Sequence, residues 1–334
     1  MRIAVDAMGG DHAPQEIVRG AIDAANQLDT VSSIILVGDE KRIRAEMPGG
    51  APPYHIEIRH ASEIIGMDET PAQAVRRKKD SSIGRAVDMV KHGEADAVVS
   101  AGNTGAVVVA AQLKLRTLEG VERSAIATVM PTDRRPFVLI DAGATTDCDA
   151  RLLLQFAIMG SVYSHVILEE PDPVVGLLSI GGEESKGNEI TKEAFKMLSS
   201  APVNFRGNVE GHDLFRGETD VVVCDGFVGN VILKTSESVA QVFGQWLKRE
   251  LRQNFIRKMG AGLLSGAWNS IKLKVDPERH GGAPLLGVNG LVIITHGASS
   301  GLAIRNAIRV ASESFHHNMN QLIIRRIKEL NGVT

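Results

Sequence analysis

Short apolar, often β-branched runs recur along the chain, separated by stretches with helical spacing. The runs Arg2–Ala7, Ser33–Val37, Asp96–Ser100, Phe137–Asp141, Val174–Ile180, Val221–Cys224 and Leu291–Thr295 predict strands. Between the first two, Ile17, Val18, Ala21, Ile22 and Ala25 fall on one helical face. They predict a helix over Gln15–Leu28, with Pro14 in its first turn, where a missing N–H is harmless. Alternation of this kind over the whole length predicts an α/β fold with a largely parallel sheet. No repeat, low-complexity tract or long linker interrupts it, so residues 1–334 are expected to form a single catalytic unit. One segment breaks the alternation. Residues 235–274 read as a long helix, a glycine-broken tip and a return, a protruding helical hairpin. Its stripe of Val239, Val242, Phe243, Trp246, Leu247, Leu251 and Phe255 is expected to pack on the core or on a second copy.

The strand exits carry the chemistry. They read VDAMGGD, VVSAGNTGA, LIDAGATT, LLSIGGEESKGNE, VVCDGFVGN and IITHGASS. In each, an apolar run ends in Gly with polar or charged side chains, and open α/β sheets bind ligands beyond the carboxyl ends of their strands. Taken singly, each is a tight turn; six of them together predict one shared site. The loop Asp6–Pro14 contributes Asp6, Gly9, Gly10, Asp11 and His12 beside a helix N-terminus, a place receptive to phosphate or an oxyanion. Asp11 as a helix cap and His12 as a solvated turn residue are the plainer alternative.

Charge and composition narrow the classes. A net charge of −3 argues against a nucleic-acid binder. Two cysteines, Cys148 and Cys224, support neither a disulfide framework nor a cysteine zinc site, and fit a reducing cytosol. With neither a secretion signal nor an apolar run near transmembrane length in this reading, a soluble protein is expected. Gly226–Thr235 lacks the glycine that a P-loop needs before its lysine, since Leu233 stands there; no HExxH or CxxC occurs. The densest basic cluster, Arg76-Arg77-Lys78-Lys79, precedes Ser81 and Ser82 and reads as a solvated face or an anion site.

In this order, VDAMGGDHAP, AVRRKKDSS, SAGNTGA, AIMGSVYS, KGNE, GNVEG, DGFVGN and GGAPLLG resemble the phosphate acyltransferase family of bacterial phospholipid synthesis. The resemblance runs from Met1 to the last helix. It implies a three-layer αβα sandwich related to the isocitrate and isopropylmalate dehydrogenases, and a homodimer. It also implies transfer of a fatty acyl group from acyl carrier protein to inorganic phosphate, with no metal or cofactor. The acyl phosphate would pass to a membrane glycerol-3-phosphate acyltransferase. In this reading Lys186 answers phosphate or oxyanion charge, Asn230 the oxyanion, Asp225 and Asp6 orient these groups, and His12 protonates the leaving thiolate. Gly9, Gly10, Asp11, Arg77, Lys78, Ser81, Ser82, Asn103, Thr104, Asn188, Glu189, Gly226 and Gly229 would line the substrate. Leu263, Leu264 and Trp268 would touch a membrane surface transiently, making the protein cytoplasmic but peripherally attached. The turn Asp133-Arg134-Arg135-Pro136 departs from the family pattern and receives no role. A β-decarboxylating dehydrogenase or a short-chain phosphotransacylase on the same fold, and a non-catalytic carrier-binding module, are the alternatives.

Overall fold

A computed structural model describes residues 1–267, 270, 277–330 and 332. The chain begins with β1 (Arg2–Asp6), α1 (Gln15–Gln27), β2 (Ser33–Gly38), α2 (Glu40–Ala45) and β3 (Ile56–His60). Next come α3 (Pro71–Arg77), α4 (Ser82–Lys91), β4 (Ala97–Ser100) and α5 (Thr104–Leu115). The middle holds β5 (Ala125–Met130), β6 (Phe137–Ile140), α6 (Ala150–Ile167), β7 (Val174–Leu178), α7 (Glu189–Ser199), β8 (Asn204–Val209) and β9 (Val221–Val223). The last part is α8 (Gly226–Leu251), α9 (Phe255–Leu263), β10 (Ala283–Leu286), β11 (Leu291–Ile294), α10 (Gly301–His316) and α11 (Met319–Leu330).

Among the described residues eleven strands join one sheet in the order β3-β2-β1-β4-β11-β10-β5-β6-β9-β7-β8. Successive side chains of a strand point to opposite faces, and both faces are covered here. Ile3, Val5, Ile34 and Leu36 pack with α1, α6, α10 and α11, while Ala4, Ile35 and Val37 pack with α4 and α5. This is the expected αβα sandwich. Helix α1 and the start of α10 approach backbone to backbone, since a Cβ on Gly20 would lie 2.4 Å from the Gly301 carbonyl oxygen.

Two details depart from expectation. The sheet is parallel within each half but not across it. Strands β1 to β4 and β11 share one sense, whereas β10 is antiparallel to both β11 and β5, and β5 is antiparallel to β6. Strands β6, β9, β7 and β8 therefore run opposite to the first half. Secondly, α6 is an 18-residue apolar helix of transmembrane length, contrary to the sequence reading, but it is 78% buried within the protein and serves as core.

The segment expected from residue 235 starts earlier. Asp225 caps α8 through its Oδ1, which accepts the Val228 N–H at 2.9 Å, and one 26-residue helix follows. Only Gly226 and Gly229 of α8 are buried. The apolar stripe does not pack on the core: Val239, Phe243 and Trp246 are 62%, 63% and 60% exposed. Leu263 and Leu264, at the end of α9, are exposed as well. Trp268, Lys272 and Lys274 lie outside the described residues.

Candidate active site

Because the sheet halves run in opposite senses, the six exits fall into two groups. The exits of β1, β4 and β11 form one; those of β6, β9 and β7 form the other. Among the described residues no hydrogen bond joins the two groups. The six exits are therefore described as two clusters, each knit by its own hydrogen bonds.

The first cluster is built on Asp6. Its carboxylate is buried and accepts Ser100 Oγ–H at 2.7 Å and the Met8 N–H at 3.2 Å. Burial raises the carboxyl above its ordinary value, while hydrogen bonds from Ser82, Ser100 and the Met8 and Gly9 amides pull it back. Gly9 cannot be larger, because a Cβ there would stand 2.6 Å from the Gly102 nitrogen. The β1 and β4 exits therefore touch backbone to backbone. The third exit joins through the Asp11 N–H, which donates to the Gly297 carbonyl at 2.8 Å, and the Thr295 N–H, which donates to Ser100 O at 2.9 Å.

This packing changes several expected roles. The Met8 and Gly9 amides bond Asp6 and the Ala13 N–H bonds Gly10 O at 3.4 Å within the loop, while the Asp11 amide is taken by Gly297 O. They are not open donors for an anion. Asp11 does not cap α1; Pro14 stands at that position, with no side-chain cap bond. Asp11 and His12 are both exposed. Asn103 holds a neighbouring loop, its Nδ2 donating to the carbonyls of Gly66, Met67 and Glu69, while its Oδ1 caps α5 at the Ala106 N–H. Lys78 is paired with Glu69 and Ile64 O at 2.5 and 2.6 Å, leaving Arg76, Arg77 and Lys79 as the exposed cations of that cluster. Ser81 caps α4 at the Gly84 N–H. The N-terminus of α10 is filled by carboxylates, with Glu16 accepting the Gly301 N–H at 2.6 Å and Glu278 the Ser300 N–H at 3.2 Å. The N-terminus of α5, at exposed Thr104, has no such carboxylate among these contacts, and its first amides lack intrahelical partners.

The second cluster is built on Asp141, which the sequence reading passed over. Its buried carboxylate accepts the N–H groups of Ile126, Gly143, Ala144 and Thr145, and burial raises it above the ordinary range despite these bonds. The start of α8 rests on this hub. A Cβ on Gly229 would lie 1.9 Å from the Asp141 carbonyl, and one on Gly226 2.6 Å from its Oδ2. That contact brings exposed Asn230 over Gly143, whose Cβ position lies 3.5 Å from the Asn230 Cβ. Beside it, the β7 exit carries exposed Lys186, for which no ion pair is found among the described residues. Asn208 ties this loop down by donating to Glu183 O at 2.8 Å. Asn188 caps α7 at the Thr191 N–H, with Glu189 in the first helical turn.

Cysteine chemistry is disfavoured. Burial, and then the Asp141 charge, push the Cys148 thiol up to about 12, and burial raises Cys224 also, so neither forms a thiolate nucleophile. Glu210, His212 and Asp213 bring possible metal-ligand atoms within 4.8 Å of one another, but Asp213 already pairs with His212 and Arg216. The unassigned turn Asp133–Pro136 is structural: Arg135 pairs with Glu170 and with Asp220 at 3.8 Å, bracing the β6 entry. A cavity of about 580 Å³ beside Ile158, His165, Leu322 and Arg326 contains none of the candidate residues.

His296 is a further missed residue. Its ring Nδ1 accepts the Ala298 N–H at 3.1 Å, and its side chain is exposed beside the first cluster. No spacing in the sequence relates it to Gly9 or Asn103; only the pairing of β11 with β4 does.

Comparison with known proteins agrees with this architecture. The fatty acid synthesis protein family matches residues 1–322. A phosphate acyltransferase of Desulfitobacterium hafniense (strain DSM 10664 / DCB-2) is 52% identical over 314 residues, which are 94% of this chain and 93% of that protein. One from Pelotomaculum thermopropionicum (strain DSM 13744 / JCM 10971 / SI) is 50% identical over 319 residues, 96% of this chain and 93% of that one. Among solved structures, a phosphotransacetylase from Streptococcus pyogenes superposes with a TM-score of 0.62 at 18% identity, covering 95% of this chain and 94% of that one. A branched-chain phosphotransacylase from Enterococcus faecalis V583 gives 0.60 at 15% identity, covering 94% and 99%. These two share the fold. The sequence relatives go further: the chain belongs to the fatty acid synthesis protein family and is an enzyme of its phosphate acyltransferase branch.

Proposed function

We propose that this enzyme, acting as one catalytic unit, transfers a fatty acyl group from an acyl carrier protein thioester to inorganic phosphate. The identity with proteins named phosphate acyltransferase over nearly the whole chain is the observation that carries this reading. The chemistry demands little machinery. Phosphate is already an anionic nucleophile, and a thiolate with an ordinary pKa near about 8.5 leaves without strong assistance. What the protein must supply is alignment and charge stabilisation.

Two clusters can serve one reaction because sheets twist. From β4 to β9 there are five strand steps. At about 20–25° per step the second half turns by roughly 100–125°, so exits of opposite sense swing toward a common groove. Lys186 then meets phosphate or oxyanion charge, Asn230 offers an amide donor, and Asp225 fixes the α8 turn that carries it. The α5 N-terminus at Thr104 supplies amides for an anion, and His12 stands on the β1 loop as a proton donor to sulfur.

The exposed α8 stripe supports a homodimer, and Leu263 and Leu264 beside Arg257 and Lys258 support transient contact with an anionic bilayer. A cytoplasmic enzyme touching the membrane would hand its labile product to a membrane glycerol-3-phosphate acyltransferase. The test is direct. Palmitoyl carrier protein and phosphate are incubated with the enzyme, and acyl phosphate is trapped with hydroxylamine. Hydroxamate that requires both phosphate and enzyme is expected; its absence, or turnover only with a nicotinamide cofactor, would refute the reading.

A further inference from the structure

We infer that His296 donates a hydrogen bond from Nε2 to the carbonyl oxygen under attack, acting as a neutral oxyanion donor; this rests on the acyl-transfer reading above. The argument starts with the tautomer. A backbone N–H can only donate, so the Ala298 amide 3.1 Å from Nδ1 requires that nitrogen to be an unprotonated acceptor. The ring is then neutral, with its single proton on Nε2. The same turn is closed by the Ser299 N–H, which donates to the His296 carbonyl at 3.0 Å. Two amides of one tight turn thus fix both backbone and ring, and the exposed ring leaves Nε2–H available to a ligand.

Its position is fixed by the sheet. Ile294 pairs in register with Ser100, and His296 follows two residues later. Gly297 is wedged against the β1 loop, where its carbonyl accepts the Asp11 N–H and its missing Cβ would lie 2.9 Å from the Met67 Cε and 3.5 Å from an Asp11 carboxylate oxygen. His296 therefore stands where the β1, β4 and β11 exits meet. His12 lies on the same mouth, but no hydrogen bond among the described residues orients its ring. The ionisable groups around this turn are Asp11 on the β1 loop, His12 beyond it, Glu16 and Arg19 of α1 against Gly301, and Glu278 behind Ser300.

A neutral imidazole is a weak acid but a good directional donor, and an oxyanion is where such a donor acts best. In the step, a phosphate dianion oxygen forms a bond to the thioester carbon, and the C=O π pair moves onto oxygen, facing Nε2–H. The pair returns as the C–S bond breaks. His12 gives a proton to the departing sulfur and takes back the one the phosphate dianion carried, so the products are acyl phosphate dianion and thiol. His296 begins and ends neutral.

Two substitutions separate this role from a structural one. His296→Asn keeps an acceptor for the Ala298 N–H but has no donor at the Nε2 position; His296→Gln can reach that position with its amide N–H. With palmitoyl carrier protein and saturating phosphate, His296→Asn is expected to lower kcat by about 10²–10³-fold at unchanged Tm. His296→Gln should recover at least about 10-fold of that loss. The ratio of wild-type to His296→Asn rates should stay constant from about pH 7 to 9, because a neutral donor does not titrate away as a general acid does. Full activity in His296→Asn, equal loss in both variants, or a ratio that collapses with rising pH would overturn the assignment. Absence of acyl phosphate with the wild type would instead sink the acyl-transfer reading itself.

Discussion

Gly229 and Gly244 lie in the same helix, and replacing each with alanine should move stability in opposite directions. Alanine is favoured over glycine in a helix interior by about 1 kcal/mol. At Gly244 a Cβ meets nothing within 4 Å, so that gain should be realised nearly in full. At Gly229 the Cβ would fall 1.9 Å from the Asp141 carbonyl oxygen and 3.0 Å from the Cys224 sulfur. Backbone cannot rotate away as a side chain can, so α8 must lift from the β6 exit by more than 1 Å. Overpacking of this kind costs about 1–3 kcal/mol or more, which exceeds the propensity gain. For a chain of this length 1 kcal/mol corresponds to about 1–2 °C in Tm. Calorimetry should show Gly244→Ala raised by about 1 °C and Gly229→Ala lowered by about 2 °C or more. Acyl phosphate formation should fall only in Gly229→Ala, because Asn230 moves with the lifted turn. Equal stability of the two variants would mean that α8 does not rest on Asp141 as described.

Four other outcomes are expected. Lys186→Ala should reduce kcat by about 10²–10³-fold with Tm unchanged, and normal turnover at saturating phosphate would remove Lys186 from the mechanism. Reversing Arg76 and Lys79, or Arg249 and Arg252, should raise the KM for an acidic carrier protein and weaken its salt dependence, identifying the docking face; no change from either pair would place docking elsewhere. Hydrogen bonds from the Ser62 hydroxyl and amide, then from Arg85, hold the Asp80 carboxyl at about 2, below its ordinary 3.8. Its contribution to stability is present above pH about 3.8 and is lost as pH falls toward about 2, so Asp80→Asn should flatten acid unfolding in that window. Leu263→Glu/Leu264→Glu should abolish co-sedimentation with anionic liposomes while sparing turnover in solution, and equal sedimentation would exclude this tip as the anchor.

The strands legible in the sequence are those with an unbroken apolar run, such as Ala97–Ser100 and Leu291–Ile294, buried on both faces. The edge strands β3 and β8 escaped because one side meets water: Glu57, Arg59 and His60 interrupt the first, Asn204 and Arg206 the second. β10 is four residues with Pro284 inside, which reads as a turn. The candidate residues were legible as motifs because Gly beside a polar side chain marks a strand exit. Their partners were not. That Lys78 is held by Glu69, or that Asn103 ties three carbonyls, depends on loops folding back, and no periodicity encodes that. The split into two clusters was hidden for a related reason: the sheet's sense reverses between β5 and β6, β5 is not among the strands the apolar runs predict, and β10, the strand that joins β5 to the first half, comes from the far end of the chain.

That late strand has a consequence for synthesis. Before β10 and β11 emerge, β4 has a neighbour only in β1, and β5 only in β6. Each half of the growing protein thus ends in a bare row of amides and carbonyls, one facing the other across a gap two strands wide. The hairpin Ala283–Ile294 fills that gap and closes both rows at once. A nascent chain must therefore shield two adhesive edges through the translation of more than 150 residues after β5. Loss of the carboxyl-terminal stretch would remove the join itself, leaving two half-sheets free to pair with other chains.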